Sequence, residues 1–126
     1  MEPFYHALIR THHITSRKKV ASLRKAAGKH GCYALLRSGG CPGIMYCKGS
    51  QEAVREWVSA VQRLRYKDFH LASKPAEIQP DEFINQKVAK AEDQHGLFEV
   101  ETVSEFAHAM EQRGISAWWR RAMEFA

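Results

Sequence analysis

Two apolar stretches of strand length, Cys32–Leu36 and Ile44–Lys48, flank the run Ser38-Gly39-Gly40-Cys41-Pro42-Gly43. Three glycines and a proline in six residues force a turn, so the two stretches are expected to pair as a hairpin. Each side of that hairpin carries a segment of helical periodicity. Upstream, Val20, Leu23, Ala26 and Ala27 fall on one helical face after the N-capping candidates Thr15 and Ser16, with Gly28 or Gly31 as the stop. Downstream, Ser50 offers a cap and Val54, Trp57, Val58, Val61 and Leu64 form the clearest apolar stripe in the chain. Phe4–Ile9 and Asp68–Ala72 supply the first and last strands, the first and third being central in such a sheet. The order β-α-β-β-α-β points to an α+β fold, a ferredoxin-like sandwich in which two helices cover one face of a four-stranded antiparallel sheet.

Beyond Lys74-Pro75 the composition changes. A helix is expected from Pro80 to about Asp93, and His95-Gly96 breaks it. Phe98–Glu101 has the length of a short strand. Thr102 or Ser104 then caps a helix through Phe106, Ala109 and Met110 to Gly114, and Ile115–Phe125 makes a last short helix. Adjacent residues on a helix point about 100° apart, so at least one of Trp118 and Trp119 should bury against the main body. The chain therefore divides into a core (1–76) and an acidic, mostly helical C-terminal extension (77–126) docked on it. At 126 residues this is one structural domain.

Charge divides at the same place. Residues 1–76 hold 14 Lys and Arg against 4 acids, and residues 77–126 hold 5 against 10. A basic first part favours a polyanion or an acidic protein surface as partner. No apolar run approaches the ~20 residues that span a bilayer, so no membrane is expected. The start MEPFYHALIR has no secretory h-region. Three cysteines without framework spacing fit reduced thiols, hence an intracellular location, cytoplasmic or nuclear.

Phosphate contacts are expected from the end of the first strand and the following helix: Arg10, His12, His13, Arg17, Lys18, Lys19, Arg24 and Lys25. A solvated helix face is the plainer account, but residues 3–51 contain no acid at all. Strand alternation puts Phe4, His6, Leu8 and Arg10 on one face, with Ile44, Tyr46 and Lys48 on the same face of a neighbouring strand. Were that face open, Tyr46 could stack a base beside Lys48. Leu8 and Ile44 argue that it is covered instead, most simply by the Trp118/Trp119 segment.

Catalytic and metal signatures are weak. The histidines and cysteines lack paired metal-ligand spacing, so no metal and no cofactor is expected. Cys41 with His12 or His13 would make a Cys–His pair, although no local signature accompanies it. Ser38–Gly43 leads into a strand and not a helix, unlike a phosphate loop. The expectation is a chain that is not an enzyme.

Three segments in order carry a family resemblance: His12-His13-Ile14 with Ser16-Arg17-Lys18-Lys19, then Cys41-Pro42-Gly43-Ile44-Met45-Tyr46-Cys47-Lys48-Gly49, then Glu52–Leu64 running into Arg65-Tyr66-Lys67. Residues 4–74 thereby resemble the domain of unknown function that follows the RWD domain in RWD-domain-containing proteins. A related version forms the C-terminal part of a pre-mRNA-processing factor of the spliceosomal tri-snRNP. Cys41 stands where that family has lysine, and Lys48 where it has an acid. No RWD domain precedes the segment here, so a stand-alone or trimmed version is expected. The resemblance implies a ferredoxin-like core, and the best-understood relative contacts small nuclear RNA. Together these readings lead to a non-catalytic RNA-binding or ribonucleoprotein-assembly module, or alternatively a protein-interaction module for an acidic surface.

Overall fold

The computed structural model of the chain describes residues 3–79 and 95–124. Their order is β1 (Tyr5–Thr11), α1 (Arg17–His30), β2 (Tyr33–Arg37), β3 (Gly43–Gly49), α2 (Gln51–Arg63), β4 (His70–Glu77), β5 (Gly96–Val100), α3 (Val103–Gln112) and α4 (Ser116–Ala122). The helix expected over 80–93 lies outside the described residues. Local chemistry sets most boundaries. Ser16 accepts from Lys19 N at the start of α1, and Gly31 ends that helix at φ 69°, a left-handed conformation that favours glycine. Ser50 accepts from Ala53 N to start α2. Thr102 and Glu105 form a reciprocal capping box on α3.

The chain is α+β, but its sheet is not the four-stranded antiparallel one expected. Five strands run in the order β4-β1-β3-β2-β5, and β5 lies parallel to β2 with Tyr33 opposite Gly96 and Arg37 opposite Val100. β2 would otherwise be an open edge, and an edge strand's unpaired backbone groups are a ready template for one more strand. β4 also outruns its expected end at Ala72, reaching Glu77 through Pro75. The pairing with β1 slips between His6 and Leu8, and Pro75 falls in that irregularity on an outer strand, where a missing N–H is tolerated.

Alternation along the strands builds two apolar layers. Ala7, Ile9, Ala34, Leu36, Met45 and Cys47 face α1 and α2, where Leu23, Val54, Trp57 and Val61 meet them. Leu8, Leu35, Ile44 and Tyr46 face the other way and pack on Phe106, Met110, Ile115 and Trp119 of the C-terminal extension. The second sheet face is therefore covered, as Leu8 and Ile44 required. Trp119 is buried, and Trp118 stacks on His6 with ring centroids 3.8 Å apart. No helix among the described residues is long and apolar enough to cross a membrane.

Candidate nucleic-acid interface

The ten expected contact residues fall into separate places. Tyr46 and Lys48 sit on β3 beneath the extension, 1% and 4% exposed. Lys48 Nζ lies 4.5 Å from the Phe4 ring centroid, and Tyr46 OH is 3.0 Å from His6 Nδ1. Trp118 of α4 packs on Tyr46 and the Phe4 ring covers Lys48, so neither side chain is open to an incoming nucleotide; this corrects the sequence expectation for both. The stripe of alternating residues was read correctly, and burial decides what it does.

Arg17 and Arg24 point from α1 to the extension. Arg17 Nη2 donates to Glu99 Oε1 at 2.6 Å and Nη1 to Oε2 at 3.2 Å, while Arg24 Nη2 reaches Oε2 at 3.5 Å. Ser38 Oγ donates to the same carboxylate at 2.9 Å. Hydrogen bonds from Arg17 hold the Glu99 carboxyl below its ordinary range, and the Arg17 guanidinium is raised in return. One carboxylate of the acidic extension thus engages two cations of the basic core.

Arg10, His12 and His13 cluster at the end of β1. Arg10 and His12 line a recess of about 450 Å³ with Cys41, Pro42, Asp68 and His70, and the His13 ring lies 4.8 Å from that of His12. Lys19 is half-buried, its Nζ 4.8 Å above the Tyr66 ring. Lys18 and Lys25 are exposed.

A further cationic surface was only partly visible in the sequence. A groove of about 290 Å³ between α1 and α2 is lined by Lys25, Lys29, His30 and Arg63 over a floor of Ala26 and Ala60. Arg63 also borders a recess shared with Ser59, Gln62 and Arg65. None of Lys25, Lys29, Arg63 and Arg65 makes a salt bridge among the described residues. Lys29 and His30 sit in the last turn of α1, where cations complement the helix dipole. Arg63 and Arg65 were missed because they lie on α2 and beyond it, 38 or more residues from Lys25. The available signal was Arg63 next to Leu64, the polar rim of the apolar stripe. Among the described residues no group of three or more His, Cys, Asp or Glu side chains could hold a metal ion.

No family model and no curated relative matches the chain. Solved structures do resemble it, two light-responsive proteins among them. The photo-activated state of BlsA is 10% identical, with a TM-score of 0.56, covering 91% of this chain and 81% of that one. A bacterial light-regulated adenylyl cyclase is 9% identical with a TM-score of 0.54; the likeness covers 97% of this chain and 36% of the cyclase. At such identities the likeness defines the α+β fold alone.

Proposed function

We propose that this chain is a non-catalytic RNA-binding or ribonucleoprotein-assembly module that holds phosphates on the outer surface of α1 and α2. The observation that carries the reading is the groove of Lys25, Lys29, His30 and Arg63, free of lining carboxylates, on a chain with no acid from residue 3 to 51. The antiparallel order β4-β1-β3-β2 within the sheet supports a ferredoxin-like core with one strand added. The sequence resemblance to the domain that follows RWD domains points the same way. Three free cysteines, two of them buried, support work in a reducing compartment such as cytosol or nucleus.

The test is the affinity of the full chain for a short structured RNA as salt is raised. Binding is expected with a steep negative log–log slope, near 0.7–0.9 per phosphate neutralised. Charge reversal at Lys25, Lys29 and Arg63 together should weaken binding at least tenfold and flatten that slope. No binding at low salt would remove the proposal.

The second reading, an acidic protein surface as partner, is favoured by one contact: Glu99 already docks on Arg17 and Arg24 as such a surface would. A regulatory role for the extension follows from the same contact. Glu99→Gln is expected to raise RNA affinity up to about fivefold at low salt, the scale of an exposed ion pair. Unchanged affinity would exclude competition by this carboxylate. Deleting residues 77–126 is the poorer experiment, because it would strip Phe106, Met110 and Trp119 from the second core.

A further inference from the structure

Three chain segments far apart in sequence place a thiol, an imidazole and a carboxylate in line at one recess. Cys41 Sγ lies 3.8 Å from His12 Nε2, and the other ring nitrogen, His12 Nδ1, lies 3.5 Å from Asp68 Oδ2. Cys41 comes from the β2–β3 turn, His12 from the end of β1, and Asp68 from the α2–β4 loop. Main-chain hydrogen bonds tie the three together. His12 N donates to Lys67 O at 2.9 Å, and Gly43 N donates to His12 O at 3.3 Å. Gly43 lets the turn close in, because a Cβ there would collide with Thr11 Oγ1 and come within 2.8 Å of Ile14. His12 is thereby clamped between the cysteine turn and the aspartate loop. The order of groups is nucleophile, base and orienting carboxylate, the arrangement that activates a cysteine by local proton removal.

Basic side chains predominate around the thiol. Arg10 and His70 line the same recess and His13 stands beside His12, while Asp68 is the one acid lining it. Cationic neighbours and partial exposure are what distinguish reactive cysteines from inert buried ones. Cys41 is exposed, whereas Cys32 and Cys47 are 1% exposed within the core.

We infer that Cys41 is a base-assisted nucleophilic thiol, a modification site for small soft electrophiles, with a peroxide as the oxidant class. His12 Nε2 takes the Sγ proton. The thiolate then attacks the nearer peroxide oxygen, an S–O bond forms and the O–O bond breaks. The leaving hydroxide takes the proton from the imidazolium and departs as water. Sulfur loses two electrons to give a sulfenic acid, and the peroxide is reduced. The event is stoichiometric, without turnover, and independent of RNA binding. Asp68 acts as a positioning residue that fixes the His12 tautomer.

The full chain is treated with excess iodoacetamide at pH 7, and Cys41 alkylation is followed by peptide mass spectrometry. Native Cys41 should react at least tenfold faster than the same cysteine in the urea-unfolded chain, where His12 is no longer adjacent. His12→Gln should erase the advantage, and Asp68→Asn should lower it several-fold while Asp68→Glu restores part of it. Hydrogen peroxide followed by dimedone should label Cys41 and spare Cys32 and Cys47. A native rate equal to or below the unfolded rate would overturn the assignment. So would an unchanged rate in a folded His12→Gln variant. The wild-type native-to-unfolded ratio decides the matter even if that variant does not fold.

Discussion

Trp57→Ala should destabilise the chain by about 4 kcal/mol, most of the stability of an ordinary small domain. Trp57 is fully buried at the centre of the core between α2 and α1. Its indole Nε1 donates to Leu23 O at 3.1 Å, so it bonds across to the neighbouring helix as well as filling space. Truncation removes the largest fully buried side chain and leaves a cavity that Leu23, Val54 and Val58 can only partly collapse into. Trp57→Phe keeps most of the volume and loses the cross-helix hydrogen bond, so it should cost about 1–2 kcal/mol. Urea unfolding at neutral pH measures both. The midpoint should fall in that order while the slope stays constant, since the surface exposed on unfolding barely changes. A loss below 1 kcal/mol for the alanine variant would mean that this core is not close-packed around the tryptophan.

The prominence of Trp57 in the sequence explains why the first core could be read there. A stripe at i, i+3, i+4 and i+7 has one solution, a helix with that face inward, and Val54, Trp57, Val58 and Val61 are all buried. Ser50, and Thr102 as one of two candidates with Ser104, were legible for a similar reason, because capping depends on residues within three positions. The fifth strand's partner was not legible. The segment Gly96–Val100 carries no information about which edge it joins, and only the unpaired side of β2 decides that. The candidate site suffered the same limit. Composition placed cations on α1, but whether Arg24 faces solvent or Glu99, 75 residues later, depends on the docked extension. Lys25 and Arg63 meet only because two helices pack side by side. Asp68 beside His12 was likewise invisible, since the contact joins a strand end to a loop 56 residues further on.

Acidification from pH 7 toward pH 4 should cost the folded chain about 2–3 kcal/mol at a single residue, His6. The side chain is 1% exposed on the sheet face covered by α4. Its ring stacks on Trp118, its Nδ1 is 3.0 Å from Tyr46 OH, and Lys48 is its register partner across β3. Burial, reinforced by the Lys48 charge, lowers its pKa from 6.5 to about 4. The unfolded chain therefore takes up this proton as pH falls through 6.5, while the folded chain resists it until about pH 4. Stability from this group is complete above pH 6.5 and declines by about 1.4 kcal/mol per pH unit between those limits. His6→Gln retains a polar partner for Tyr46 but has no proton to gain. Denaturant unfolding of both proteins from pH 7.5 to 4 separates His6 from the carboxylates, which contribute alike to each. The wild type should lose about 2–3 kcal/mol more than the variant across that range, and parallel curves would show that the Trp118–His6 stack does not exclude water. The same ring thus reports on the docked extension, because only while α4 covers the sheet does His6 remain neutral below its ordinary pKa.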